Sequence, residues 1–173
     1  MVWRPQNQTT TTKLENIQRR AVKWICDEEY QSYTDLEYLI RCRQLFFLPL
    51  NYKLLFNDLI LFHKVIHGCC PVKLPNYLKF FEGNQSLRSC HLDKLHLVSN
   101  IKPSVYAKYS KHATEGAECK ILENSFFYRS HLSWNKLSLK IREAEVHSIF
   151  KEQLRKYLWD EALTIVLTNL AET

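Results

Sequence analysis

The stretch Pro49–Gly68, "PLNYKLLFNDLILFHKVIHG", constrains the fold more than any other part of the chain. Proline suits the first turn of a helix and glycine its C-terminal stop. Between them 11 of the 18 residues Leu50–His67 are apolar. At helical spacing Lys53, Asn57, Lys64 and His67 share one narrow stripe. A helix this apolar has to be wrapped by others, which predicts a central helix with Leu55, Leu59 and Phe62 in the core. It is not a membrane span: Lys53, Asp58 and Lys64 interrupt it. Its longest unbroken apolar run, Leu59–Phe62, is far short of the roughly 20 residues a bilayer needs.

The elements that would do the wrapping carry their own signals. Thr12-Lys13-Leu14-Glu15 has capping-box spacing and predicts a helix start. In the helix that follows, Leu14, Ile17, Ala21, Val22, Trp24 and Ile25 fall on one arc, the expected packing face, and Asn16, Arg19, Arg20 and Lys23 on the other. Thr34-x-x-Glu37 repeats the box and starts a shorter helix. "LPNYLKFF" reads as one or two further helical turns. From Glu82 to Asn124 the helical pattern lapses: two of the three glycines sit here, and "KLHLVSN" and "KPSVYAKY" are extended in character. Forty such residues in a compact domain imply a β-hairpin, an ordered loop or some disorder. Helical pattern returns in "NSFFYRSHLSWNKL" and "VHSIFKEQLRKYLW". The expected fold is mainly α: a helical domain around a central apolar helix, with an irregular or small β-hairpin segment in the middle. One domain is expected over 1–159, with a tail at 160–173.

Length and composition agree with this. A chain of 173 residues is the size of one domain and can bury roughly 70% of its unfolded surface, so neither metal nor disulfide is needed to hold it. The N-terminal "MVWRPQNQTTTT" has no apolar core of the kind a signal peptide requires. Six cysteines without a secretory signal read as reduced thiols. The expected setting is intracellular, cytoplasmic or nuclear, with neither a membrane partner nor secretion.

The search for a catalytic or metal centre is negative. His63 and His67 share a helix side and Cys69 and Cys70 follow, but adjacent cysteines seldom hold one ion and no second CxxC or HxxxH pair answers them. Cys90, His91 and His96 lack the paired spacing of a zinc knuckle. Three scattered glycines build no phosphate loop. No cysteine is singled out as partner to a histidine, and the acids at Asp27-Glu28-Glu29 and Asp160-Glu161 read as helix ends. No cofactor, metal or small-molecule substrate is expected.

What remains is positive charge. Lys plus Arg exceed Asp plus Glu by 24 to 18, giving +6, which suits a polyanionic partner without proving one. Between Leu87 and His112 lie Arg88, Lys94, Lys102, Lys108 and Lys111 against a single acid, Asp93, with Tyr106 and Tyr109 among them. Basic side chains neutralise phosphates, and aromatic rings stack on unpaired bases. A solvated basic loop with inward tyrosines is the other reading of the same residues.

Taken in order, several motifs resemble the region just after the polymerase core in non-LTR retrotransposons of the jockey-like kind. "VWRPQ" is similar to that family's entry motif through Trp3 and Pro5. "KLENIQRRAVKWI" matches its helix motif at Leu14, Glu15, Gln18, Arg19, Arg20 and Ala21. The apolar stretch matches at Asp58, Leu59 and Lys64. "NSFFYRSHLSWNKLSLKIREAEVHSIFKEQL" matches the closing pattern at Phe126, Phe127, Arg129, Trp134, Asn135, Leu137, Phe150, Lys151 and Leu154. The resemblance runs from Val2 to Leu158. Tyr52-Lys53 replace a usual Arg pair, and Ser138 stands where the family usually has Pro.

The resemblance implies the thumb-side and tail portion of a reverse transcriptase, separate from fingers and palm. The family's paired catalytic aspartates lie in a Y-x-D-D type motif upstream, and none occurs here. Two-metal polymerisation needs them, so no enzymatic activity is expected of this chain alone. Its expected role is sequence-independent binding of the RNA or RNA–DNA backbone, with the polymerase palm as a further partner. Arg19, Arg20 and Lys23 would be a phosphate-facing row, joined by Arg88, Lys94, Lys102, Tyr106, Lys108, Tyr109 and Lys111. The alternative is a decayed or co-opted helical protein-interaction module that does not bind nucleic acid.

Overall fold

The computed structural model describes residues 5, 7–26, 34–80, 97–99 (98 and 99 by backbone) and 125–172. The chain is mainly helical: α1 (Gln8–Ile25), α2 (Asp35–Gln44), α3 (Leu50–Ile66), β1 (Leu78–Phe80), β2 (Leu97–Ser99), α4 (Phe126–Lys136), α5 (Leu139–Arg142) and α6 (His147–Ala171). Two compact units form, one within Asp58–Lys151 and the other from the residues before and after that stretch. We call them the mid-chain unit and the end-segment unit.

The end-segment unit holds α1, α2, the start of α3 and α6 from Glu152 onward. Val22, Tyr38 and Cys42 form its core, with Cys26, Leu45 and Trp159 packed against them. Asp160 and Glu161 do not end the last helix: α6 continues through them to Ala171, and Ala162 is buried. Asp160 and Glu161 therefore sit inside a helix.

α1 also starts a turn earlier than its capping-box spacing predicts. Asn7 is the N-cap, its side chain accepting from the Thr9 amide at 2.8 Å. Thr12 is inside the helix, its hydroxyl bonded back to the Gln8 carbonyl, as threonines in helix interiors do. That frees Glu15 for another task. Its carboxylate accepts from the Tyr38 hydroxyl at 2.6 Å and from the backbone amides of Leu50 and Asn51 at 3.3 Å. One carboxylate on α1 thus anchors α2 and caps the first turn of α3. Burial first, and the nearby carboxylate second, push the Tyr38 phenol well above its ordinary range.

The consequence is that α1 is turned by about 100°, one residue of helix, from its apolar arc. Val22 is buried and Leu14 half-buried, but Ile17 and Trp24 are 61% and 85% exposed, and Ile25 is also exposed. Glu15, Gln18 and Arg19 turn inward instead. Gln18 Nε2 donates to the Leu48 carbonyl at 2.9 Å, and Arg19 pairs with Asp35 and lies 4.3 Å from the Tyr38 ring centroid. Charge-assisted and backbone-directed bonds at three consecutive contacts have outweighed burial of an isoleucine and a tryptophan. Glu15→Ala should lower stability by about 2–4 kcal/mol, because it strands a buried phenol and two helix-end amides together. Glu15→Gln, which keeps an acceptor, should cost less. Thermal denaturation of the two variants checks the order; equal small losses would show that the cap contributes nothing.

Around Thr34 structure and sequence agree. The Glu37 amide donates to Thr34 Oγ1 at 3.2 Å and the Thr34 amide to Glu37 Oε2 at 2.8 Å, a complete capping box. α2 ends in a Schellman turn: Phe46 N–H donates to the Arg43 carbonyl and Phe47 N–H to the Cys42 carbonyl. The left-handed residue there is Phe46, at φ 57. α3 ends in the same turn with Gly68 at φ 65, its amide on Val65 and that of Cys69 on Lys64. The Pro49 carbonyl accepts from Lys53 at the head of α3. Along α3, Leu59 and Phe62 are buried and Leu55 is half-buried.

The mid-chain unit holds the rest of α3, the strand pair, α4, α5 and the first turn of α6. β1 and β2 pair antiparallel in the register Leu78↔Ser99, Lys79↔Val98, Phe80↔Leu97. "LPNYLKFF" therefore supplies a strand and not extra helical turns. β2 gains a second edge partner in the side chain of Asn135, which accepts from the Leu97 amide at 3.0 Å and donates to its carbonyl at 2.8 Å. The Phe62 ring sits 5.9 Å from buried Trp134 and 6.3 and 6.5 Å from Phe126 and Phe127. Beside it, buried Asp58 takes a two-pronged bond from Arg129, Nε to Oδ2 at 2.9 Å and Nη2 to Oδ1 at 3.1 Å.

Candidate nucleic-acid interface

Arg88, Lys94, Lys102, Tyr106, Lys108, Tyr109 and Lys111 lie outside the described residues. Of the α1 row, Arg20 is exposed and Lys23 half-buried. Arg19, also half-buried, pairs with Asp35 and lies over the Tyr38 ring. Its guanidinium already has a carboxylate and a ring as partners, whereas Arg20 stands in solvent.

The structure brings together a different set. Lys53 on α3 and Arg155 on α6 converge on the Phe56 ring, with Lys53 Nζ at 5.5 Å and the Arg155 guanidinium carbon at 5.6 Å from its centroid. Both side chains are exposed. Stacking a cation on a ring face fixes its position without neutralising it, so the charges remain available to an anion. They border a cleft of about 260 Å³ lined by Gln18, Phe46, Phe47, Leu48, Lys53 and Arg155. No carboxylate is among these lining residues. A second cleft of about 180 Å³ in the same unit contrasts with it, being lined by Glu15 and Asp35 as well as Arg19. Its carboxylates would repel a phosphate.

Sequence reasoning placed Lys53 on a polar stripe and gave Phe46, Phe47 and Arg155 no role. One signal was available: "LFFLP" puts two aromatics directly between a helix end and a proline, where small or polar turn residues are the rule.

The histidines and cysteines do other things. The His63 and His67 rings lie 4.2 Å apart between centroids, tilted by 37°, and His63 Nε2 donates to the Ala144 carbonyl at 2.8 Å. The Cys69 thiol points at the His67 carbonyl and that of Cys70 at the Val72 carbonyl. Among the described residues, no group of three or more His, Cys, Asp or Glu is arranged to hold a metal ion, and no helix is long and apolar enough to cross a membrane. In comparisons with known proteins, no family model, no curated protein and no solved structure matches the chain.

Proposed function

We propose that this chain is a non-catalytic C-terminal, thumb-side portion of a non-LTR retrotransposon reverse transcriptase, and that it binds RNA or an RNA–DNA hybrid through the phosphate backbone inside the cell. The ordered motifs from Trp3 to Leu154 support the parentage. The convergence of exposed Lys53 and Arg155 on one ring, beside a cleft with no acid among its described lining residues, carries the binding role. Lys53 keeps one cation where the family pattern has an Arg pair. Contacts of this kind neutralise phosphates and read no bases.

The test is a titration of the full chain with labelled RNA and with an RNA–DNA hybrid at several salt concentrations. Log affinity should fall linearly with log salt, with little dependence on base sequence. Lys53→Ala and Arg155→Ala should each reduce the slope by about 0.7–0.9, as one lost phosphate contact does. Both residues are exposed, so the melting temperature should hold. Absence of any salt-sensitive binding near micromolar concentration would defeat the proposal. The second reading, a helical protein-interaction module without nucleic-acid binding, is favoured by one observation, the exposed Ile17, Trp24 and Ile25 along α1, and would then stand.

A further inference from the structure

We infer that the cleft lined by Phe46, Phe47, Lys53 and Arg155 seats a single unpaired nucleotide, its base against the phenylalanine rings and its phosphate on the two cations, and so prefers single strands to duplex. This rests on the nucleic-acid reading above and specifies which form of nucleic acid that site takes.

Phe46 carries the argument. It is the left-handed residue of the α2 turn, at φ 57, a conformation that strains any residue with a β-carbon. Gly68, in the equivalent turn of α3, shows the ordinary solution. Phe46 is also 87% exposed, so its ring recovers nothing from the core. A large aromatic held in a strained turn and left in water is unfavourable twice over, and strain of this kind collects at ligand clamps. Phe47 beside it is exposed as well.

The chemistry of the walls selects the occupant. Rings offer a π-face that any base can cover, which makes stacking tolerant of sequence. Lys53 and Arg155 supply two positive charges, and the other described lining residues, Gln18 and Leu48 among them, add no acid. A volume of about 260 Å³, just under the range for small-molecule pockets, takes no more than one nucleotide unit. In a duplex each base is already stacked on its neighbours, so only an unpaired one is free to enter.

The experiment uses the full chain, a labelled 12-nucleotide RNA of mixed sequence, and the blunt duplex made from it. Wild type should bind the single strand more tightly. Phe46→Gly removes the ring and the strain together, so the melting temperature should hold or rise. Single-strand affinity should fall roughly 5- to 150-fold, the loss of one stacked base, while duplex affinity stays unchanged. A 2-aminopurine placed in the strand should lose fluorescence on binding wild type and not on binding Phe46→Gly. If both probes bind and Phe46→Gly alters neither, or both equally, the inference is wrong while backbone binding stands. Release of bound RNA by a carboxylate-ended apolar peptide, with no 2-aminopurine response, would assign the cleft to a peptide and overturn it too. If neither probe binds wild type, the proposed function itself has failed.

Discussion

Asp58→Ala should cost about 3–5 kcal/mol, the largest single-residue loss expected in the mid-chain unit. Asp58 is fully buried and holds Arg129 by both prongs of its guanidinium. Removing the carboxylate takes a two-pronged partner from a cation that is itself largely shielded from water, and the loss of such a partner by a buried charge is what makes the deletion severe. Arg129→Ala should be comparably damaging, since it removes both guanidinium bonds from the buried carboxylate. The pair as a whole need not be stabilising: desolvating both groups offsets much of their attraction. The double variant Asp58→Leu with Arg129→Met should therefore recover most of the loss. Urea denaturation of the single and double variants closes the cycle. Single-variant losses below about 1 kcal/mol, or additive damage in the double, would show that the two groups are not a coupled pair.

The second large effect is a loss of stability in acid. His63 is fully buried and stacked on Phe150 at 4.1 Å, with the tilted rings of His67 and His147 at 4.2 and 5.6 Å. Nε2 carries the proton given to the Ala144 carbonyl, so protonation falls on Nδ1, which has no hydrogen-bond partner. Burial pushes the imidazole down to about 4, helped by repulsion from His67 and His147 and opposed by the Ala144 carbonyl. The unfolded chain takes up this proton near 6.5. Between the two values the unfolded state binds more protons, so stability is complete above about pH 6.5 and declines as pH falls toward 4. The full decline is up to about 3 kcal/mol. Burial lowers His147 as well, which acts in the same direction. His63→Gln, keeping a donor for Ala144, should flatten this part of the profile. Urea midpoints of wild type and variant at pH 7.5 and pH 4.5 give the comparison, and parallel profiles would remove His63 from the account.

These two sites also show what could and could not be seen in the residues alone. The Thr34 box, the limits of α3 and the two late helices were legible because each depends on residues three or four apart. The start of α1 was misplaced because Asn7, a good cap, preceded a threonine run that resembled a better one. The rotation of α1 was not legible at all. It depends on whether Glu15, Gln18 and Arg19 find partners on α2 and at the head of α3, and partners 16 to 36 residues away leave no periodic trace. Asp58 and Arg129 were both picked out by the family resemblance, yet their pairing across 71 positions was not. The cleft was hidden for a further reason: a phenylalanine in a left-handed turn contradicts the local rule that would have predicted glycine.

Glu15 has a kinetic side as well. The amides of Leu50 and Asn51 belong to a helix end, where fraying ordinarily lets protons exchange with solvent within the first turn. Here both are tied to a side chain on another helix, and that same side chain holds Tyr38. Opening the head of α3 therefore means lifting α1 away and releasing α2 in the same event. Three helices share one opening step, and the end that would otherwise come apart first opens only with the other two.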